Sequence, residues 1–233
     1  MPAHVNPRPP SPQRPYHSPL RREQAAATRV RVLDAALSLF RERGYASTSV
    51  RAIADTAGVS VQTLYQSWGS KSAIVEGLIL RVKEEIDLPS LFDEMSRGAH
   101  DPLELLRQSA HISRLYSEAG WDVLELVRQL GETQADIAAV WAEGEARRYR
   151  GQRDVVDWIA ATGGLRSELA RAAAADTLWT LSAHDLYRLL TCERGYTPAG
   201  YEEWLFETSA RLLLASFVPG HTADDDGGRD GGK

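Results

Sequence analysis

Residues 47–68 read STSVRAIADTAGVSVQTLYQSW, and the spacing of their apolar side chains decides the fold of this end of the chain. Two short helical patterns fit the stretch, separated by the link Ala57-Gly58-Val59. The second pattern begins at Ser60 and carries Leu64 and Tyr65. The first pattern places on one face Val50, Ile53, Ala54 and Ala57. The stretch therefore predicts two helices joined by a tight turn.

The link has the composition of a sharp corner between two helices. Such a corner needs a small residue where the helices cross, a glycine that can take a positive φ, and an inward apolar residue on the second helix. Ala54, Gly58 and Leu64 meet these requirements, and Ser60 is placed to cap the second helix. The pattern predicts a helix-turn-helix, while an ordinary helical hairpin inside a bundle stays open at this point.

The outer face of the second helix is polar, which a helix buried in a core would not show. Its exposed positions carry short or amide-bearing side chains, which suit the base edges of a DNA major groove. These positions are Val61, Gln62, Thr63 and Gln66. We therefore expect this helix to read DNA.

Apolar residues recur every three to four positions through the rest of the body, which predicts an all-α fold. The first helix carries Val30, Leu33, Leu37 and Phe40 and ends at Gly44, and another begins at Ser70 and carries Val75, Ile79, Val82 and Ile86. A polar stretch with Pro89, Gly98 and Pro102 places a domain boundary near residues 87–100. Later helices are predicted near 102–119, 121–130, 132–162, 167–192 and 198–217.

Two terminal segments lack this periodicity. Residues 1–20 hold seven of the eleven prolines and predict a disordered arm, either solvated or reaching along DNA phosphates or into a minor groove. Residues 219–233 are predicted to be a disordered tail. The predicted domains are therefore a DNA-binding domain at 21–87 and a regulatory domain at 100–218.

The amino-acid composition limits the classes of protein to which the chain can belong. The single cysteine, Cys192, excludes an internal disulfide and a multi-thiolate metal site, and we expect it to be a small core residue. No apolar run is long enough to cross a bilayer and no signal peptide is visible, so we expect a cytoplasmic protein. A net charge of −5 permits only a local basic surface for nucleic acid. No nucleophile motif, phosphate loop or metal signature indicates an enzyme or a cofactor.

Residues 28–79, TRVRVLDAALSLFRERGYASTSVRAIADTAGVSVQTLYQSWGSKSAIVEGLI, resemble the N-terminal domain of the tetracycline-repressor (TetR) family. The resemblance implies phosphate contacts from Thr48, Arg51 and Lys71, and a backbone contact from the Tyr65 hydroxyl. It implies base or nearby phosphate contacts from Ser60, Val61, Gln62 and Thr63. Two departures make a different sequence preference possible: many members have lysine where Val61 stands, and Gln66-Ser67-Trp68 replaces the commoner aromatic, histidine and phenylalanine. For Trp68 we expect an aromatic wedge that holds the reading helix against the first helix.

The second half resembles the family's regulatory domain less specifically, through Gly163–Arg166, Ala175–Trp179 and Tyr201–Leu205. The resemblance implies a homodimer in which the last two helices pair with their copies, using Leu178, Leu181, Trp204, Leu205 and Leu212. A pocket for a small molecule is expected among residues 102–190. Its candidate side chains, for each of which core or interface packing is the alternative, are His111, Tyr116, Trp121, Trp141, Tyr149, Trp158, Trp179, His184 and Tyr187.

Together these features predict a homodimeric regulator, most often a repressor in this family, that a small molecule releases from a palindromic operator. Two recognition helices must lie about 34–36 Å apart to enter successive major grooves, so a ligand that favours another separation lowers DNA affinity. Two other classes remain open. An α-helical enzyme would show a catalytic cluster in the C-terminal pocket, and an architectural DNA binder would show little preference among sequences.

Overall fold

The computed structural model describes residues 19–98 and 100–217, with side chains described from Arg22 onward. Eleven α-helices are found in this part of the chain: α1 Pro19–Arg43, α2 Val50–Ala57, α3 Val61–Trp68, α4 Lys71–Glu85, α5 Leu88–Arg97, α6 Pro102–Ala119, α7 Trp121–Gly131, α8 Ala135–Ala161, α9 Arg171–Leu181, α10 His184–Arg188 and α11 Pro198–Leu213. One π turn, Leu189–Glu193, continues α10. No strand occurs within these residues, and the predicted all-α class is confirmed.

The described part of the chain divides into two compact units, one ending at Gly69 and the other beginning at Ser70. The division falls earlier than the boundary predicted near 87–100, because α4 packs against α5, α6, α7 and α8. The first unit holds α1, α2 and α3. The predicted disordered arm overlaps α1 at residues 19 and 20, and the rest of the arm and the tail from 219 lie outside the described residues.

The first unit packs one face of α1 against α2. The buried residues of that face are Val32, Leu33, Ala35, Ala36, Leu39 and Phe40. Leu33 and Phe40 were predicted there, whereas Val30, also predicted there, is half exposed. The Arg31 Nε donates a hydrogen bond of 3.2 Å to the carbonyl of Ala57 and so ties α1 to the end of α2.

The second unit is a bundle in which α6 packs along α11 and α8 along α9. Its core includes Leu106, Ile159 and Tyr201, each buried. The predicted helix at 167–192 is interrupted at Ser182 and Ala183, where α9 ends and α10 begins. The polar stretch at 87–100 contains α5, which buries Met95. Both are corrections to the sequence-based prediction.

The Gly163–Arg166 segment closes this bundle after α8. Gly163 has φ +75°, the left-handed conformation that ends a helix without a Cβ penalty. Leu165 forms an isolated antiparallel bridge with Leu214, and the Arg166 amide donates to the carbonyl of Leu213 at 3.0 Å. The segment therefore joins the end of α8 to the end of α11.

Cys192 lies in the π turn and is exposed, so the prediction of a core cysteine is wrong. Within the described residues, no helix combines the length and apolar character needed to span a membrane. The same residues contain no group of three or more His, Cys, Asp or Glu side chains placed to hold a metal ion.

Candidate functional site

The α2–α3 corner is built from two serine caps and one left-handed glycine. The Ser49 Oγ accepts from the Ala52 amide at 3.1 Å, and the Ser60 Oγ accepts from the Thr63 amide at 3.0 Å. Gly58 has φ +67°, and the amide after it donates to the carbonyl of Ala54. Both caps satisfy amides that a helix start leaves without partners. The corner is therefore a helix-turn-helix, as the sequence predicts.

Helix α3 buries Leu64 and turns the rest of its surface to solvent. Gln62, Thr63 and Gln66 are exposed, Val61 is half-buried, and 52% of Tyr65 is exposed. The Thr63 and Ser60 hydroxyls lie 2.7 Å apart and bond each other. Among the described residues, nothing hydrogen-bonds the polar side-chain atoms of Gln62, Tyr65 and Gln66, so these atoms are open to an external partner.

The residues around the start of α2 have different environments. Thr48 is only 2% exposed, and its hydroxyl lies 2.8 Å from the carbonyl oxygen of Gly44 and 3.2 Å from that of Leu39. The expected phosphate contact through this hydroxyl is therefore wrong, because the hydroxyl is buried and bonded inside the unit. Arg51 is exposed, with its Nε 3.8 Å from a carboxylate oxygen of Asp55.

Trp68 ends α3 and is half-buried. The guanidinium of Arg29, on α1, lies 4.9 Å from the centre of the Trp68 ring. A cation over an indole face is an attractive contact. The contact links α3 to α1 in the manner predicted for an aromatic wedge.

Lys71 is the first residue of α4 and is half-buried. Burial lowers the pKa of its ammonium, while the nearby carboxylate of Asp136 raises it. Any phosphate contact from Lys71 therefore competes with the attraction of Asp136.

The second unit contains a cavity of about 170 Å³. Its apolar wall includes Leu88, Phe92, Met95, Ile112, Leu124 and Val140. Three of the predicted pocket residues line it, namely Tyr116, Trp141 and His184. The size is close to that of a cavity of about 150 Å³ that holds a benzene ring.

The other predicted pocket residues do not line this cavity. The His111 Nδ1 lies 3.2 Å from Glu202, and Trp121 packs on the rings of His184 and Tyr187. The Tyr149 hydroxyl donates to Asp176, and its ring meets Trp179 edge to face. Tyr187 belongs to the core of the bundle, and the half-buried Trp158 packs against that core. The rings of Trp121, Tyr149, Trp158, Trp179 and Tyr187 thus make packing contacts, whereas His111 contacts a carboxylate.

A hydrogen-bonded chain of Ser109, Gln152, Ser182, Arg148 and Glu145 forms one polar part of the cavity wall. The Gln152 amide donates to the Ser182 hydroxyl at 3.2 Å, and its carbonyl lies 3.4 Å from the Ser109 hydroxyl. The Arg148 guanidinium donates to Ser182 at 3.0 Å and to Glu145 at 2.6 Å. This wall therefore satisfies its own polar groups.

His184 differs from that wall because its hydrogen-bonding capacity is unused. The side chain is buried, and neither ring nitrogen has a hydrogen-bond partner among the described residues. The Nε2 lies 3.5 Å from a carboxylate oxygen of Glu125, a separation too long for a good hydrogen bond. Burial lowers the pKa of His184, which favours the neutral imidazole.

Comparison with known proteins agrees with this geometry. Residues 32–78 match the model of the tetR family of bacterial regulatory proteins. The HTH-type transcriptional regulator UidR of Escherichia coli (strain K12) is 39% identical over 77 residues, which cover 33% of the chain and 38% of UidR. The family match at residues 32–78 contains the second half of α1, all of α2 and α3, and the first part of α4. The match to UidR spans about two fifths of the length of that relative.

Residues 32–78 therefore form a domain of the tetR family.

Solved structures of similar fold align over most of the chain. NalD, the secondary repressor of the MexAB-OprM multidrug efflux pump in Pseudomonas aeruginosa, aligns with a TM-score of 0.66 at 22% identity, covering 84% of the chain and 100% of NalD. SmeT, solved as a triclosan complex, aligns with a TM-score of 0.65 at 20% identity, covering 83% of the chain and 96% of SmeT. At these identities the likeness shows a shared fold.

The side chains predicted for a dimer interface divide into two groups. Leu178 and Leu205 are each 1% exposed and pack in the core of their own subunit, so assigning them to an interface is wrong. Leu181 and Trp204 are half-buried, and Leu212 is 49% exposed. Only the last three have surface to offer a partner.

Several cavity residues were missed by sequence reasoning, above all Lys83, Phe92, Arg148 and Gln152. Lys83 lies in α4, which was predicted to belong to the DNA-binding domain, and Phe92 lies in the predicted domain boundary. The spacing of Leu88, Leu91, Phe92 and Met95 is the signal that could have revealed α5 as an amphipathic helix facing the cavity.

Proposed function

We propose that the protein is a homodimeric transcription regulator that binds a palindromic operator through α3 and releases it when a small molecule occupies the cavity of the second unit. The observation that carries the proposal is the α2–α3 corner, whose exposed Gln62, Tyr65 and Gln66 have no hydrogen-bond partner among the described residues. A surface helix of this kind, held by a corner at its N-terminal end, suits the major groove.

A repressor is the form we favour, because NalD, which has a similar fold, is a repressor. SmeT has been solved with a bound small molecule, triclosan, and this supports a ligand-responsive second unit here. The cavity lined by Tyr116, Trp141 and His184 is the proposed ligand site.

Release requires the ligand to discriminate between two conformations. A shift from nearly all bound to nearly all free needs about 5.5 kcal/mol of differential affinity. The ligand need not touch DNA, since a changed separation of two recognition helices is enough to weaken the contact with successive grooves.

The test is selection of genomic fragments by the purified protein, followed by titration of the recovered sequence and a scrambled duplex of equal length. We expect a palindromic motif that binds far more tightly than the scrambled duplex. Recovered fragments without a common motif would instead favour an architectural binder. A catalysed reaction at the cavity, without DNA binding, would favour the helical enzyme.

A further inference from the structure

Positively charged side chains outnumber negatively charged ones around the cavity of the second unit. Three cationic side chains line it, namely Lys83, Arg147 and Arg148. The lining contains one carboxylate, Glu145, and the Arg148 Nη2 holds that carboxylate at 2.6 Å. Glu145 is therefore already neutralised and has little attraction left for a cationic ligand.

Of the three cations that line the cavity, Lys83 is the one without a carboxylate partner among the described residues. It is half-buried on α4, and no described carboxylate lies within ion-pair distance of its ammonium. Burial lowers the pKa of Lys83, and the neighbouring charge of Arg147 lowers it further. An anion beside Lys83 would stabilise the charged ammonium and so offset both effects.

Arg147 is partly balanced from outside the cavity, because its Nε lies 3.2 Å from a carboxylate oxygen of Glu143. Glu143 does not line the cavity. The guanidinium thus adds to the positive potential at Lys83 without bringing a carboxylate into the lining.

Tyr116 supplies a neutral donor in the same surroundings. Its hydroxyl makes no hydrogen bond to any described residue, and burial raises its pKa to about 12, so the hydroxyl keeps its proton at neutral pH. Tyr116, Lys83 and Arg147 all line the same cavity. A phenol and an ammonium together form a donor pair suited to a carboxylate.

The remaining lining residues limit the size and the polarity of the ligand. Phe92, Met95, Ile112 and Trp141 present apolar surface, and the volume of about 170 Å³ accommodates roughly one ring. The buried His184 adds a polar group without a hydrogen-bond partner.

We propose that the cavity binds a compact amphipathic monoanion, a single aromatic ring or an apolar group of similar size that carries a carboxylate held by Lys83 and Tyr116. This proposal rests on the ligand-responsive function proposed above and names the class of the ligand.

The test uses three probes of nearly equal shape: benzoate, the neutral benzamide and the cationic benzamidine. Calorimetric titration of the full chain should show benzoate binding about tenfold more tightly than either of the others, because hydrogen bonds to charged partners are the stronger ones. Equal binding of the three probes, preference for benzamidine, or no binding of any probe would each overturn the proposal.

Substitutions of single side chains test which of them bind the carboxylate of benzoate. Lys83→Met keeps the apolar stem and should lower benzoate affinity about tenfold while leaving benzamide affinity unchanged, whereas Lys83→Arg should retain the preference for benzoate. Tyr116→Phe should cause a smaller loss for benzoate. The matched control is Arg153→Met, which removes an exposed cation from α8 outside the cavity and should change nothing. Loss of benzoate binding to the same degree in Arg153→Met would contradict a local role for Lys83.

These titrations contain no DNA, so they are independent of the regulator proposal. Absence of charge preference alongside intact operator binding would overturn only the ligand class. Preferred benzoate binding in a protein that selects no operator would overturn only the regulator function.

Discussion

Gln62 and Lys71 represent two kinds of DNA contact that leave different signatures in binding data. Gln62 is exposed on α3 and has an amide that can pair with a base edge. Lys71 begins α4 and carries a charge that a phosphate would attract, although Asp136 lies near it. Base contacts change specificity, while phosphate contacts change affinity for all sequences.

Gln62→Ala should weaken binding to the selected operator by about 1–3 kcal/mol and leave binding to a scrambled duplex nearly unchanged. Lys71→Met should weaken both duplexes similarly and make the salt dependence shallower by about 0.9 in log-log slope. Tyr65→Phe should weaken both with little change of slope, because a neutral hydroxyl displaces no counterion. Fluorescence anisotropy at several salt concentrations separates these outcomes. Equal losses on the two duplexes for Gln62→Ala would remove it from the base-reading set.

His184 should make the stability of the protein depend on pH. Burial lowers its pKa below the ordinary 6.5, Glu125 and Asp185 oppose the shift, and Arg128 adds to it. As pH falls through about 6.5, the unfolded imidazole binds a proton before the folded one does. The contribution of His184 to stability is therefore complete above that pH and is lost as pH falls toward the folded pKa.

His184→Phe should flatten the fall of the free energy of unfolding between about pH 7 and 5.5, since no buried imidazole remains to be kept neutral. Urea denaturation at a series of pH values measures this. The control is His100→Phe, at an exposed turn position, which should keep the slope of the native protein. An unchanged slope in His184→Phe would show that other groups cause the pH dependence.

Single residues were predictable from the sequence where local geometry decides their role. Ala54, Gly58, Ser60 and Leu64 have the roles expected of them, because a capped corner is specified by near neighbours in the chain. The role of Thr48 was predicted wrongly because its hydroxyl bonds to the carbonyls of Leu39 and Gly44. These bonds form where the chain folds back onto the end of α1, and the residues around Thr48 in the sequence do not indicate them.

Among the helices, the longer ones could be predicted from the spacing of apolar residues. The short helix α5 and the break between α9 and α10 could not. The helices near 102–119 and 121–130 lie as predicted because the pattern is strong and ends at Gly120 and Gly131. Helix α5 was missed because two prolines and a glycine near it resemble a loop. The interruption between α9 and α10 was missed because Ser182 ends α9 through tertiary bonds to Arg148 and Gln152.

The junction after α8 should tolerate no added methyl group. A Cβ at Gly164 would lie 2.5 Å from the Cγ of Pro102, whose ring has little freedom to move away. Gly164→Ala should therefore lower stability by about 1–3 kcal/mol through overpacking. Gly144→Ala is the matched control within α8, where a Cβ meets nothing within 4 Å. That control should stabilise the helix by up to about 1 kcal/mol. Chemical denaturation followed by circular dichroism measures both, and equal effects of the two substitutions would contradict the steric argument.

At the scale of the whole molecule, the interface predicted from the sequence was too broad because apolar spacing does not separate a core face from a face that binds another subunit. Leu205 illustrates this, since it lies on α11 at helical spacing from Leu212 but is buried in its own bundle. The exposed large apolar residues of the last two helical segments, the π turn and α11, are Leu189 and Leu212.

Leu212→Glu should weaken the proposed homodimer and lower affinity for the palindromic operator, because it places a charge in a surface that dimerisation would desolvate. Leu103→Glu is the control, since Leu103 is a similarly exposed leucine on α6. Sedimentation velocity over a range of protein concentrations measures the association. A native protein that stays monomeric at every concentration, or equal effects of both variants, would contradict the proposed interface.

Cys192 gives this molecule a built-in place for a spectroscopic reporter. It is the one cysteine in the sequence and it is exposed in the π turn, so a thiol-reactive spin label attaches at a single position without any engineered substitution. A symmetric pair of chains would then carry two labels and yield one distance distribution, while a lone chain would yield none. The same sample, read with and without operator or benzoate, would report on whether either partner changes the separation of the two chains.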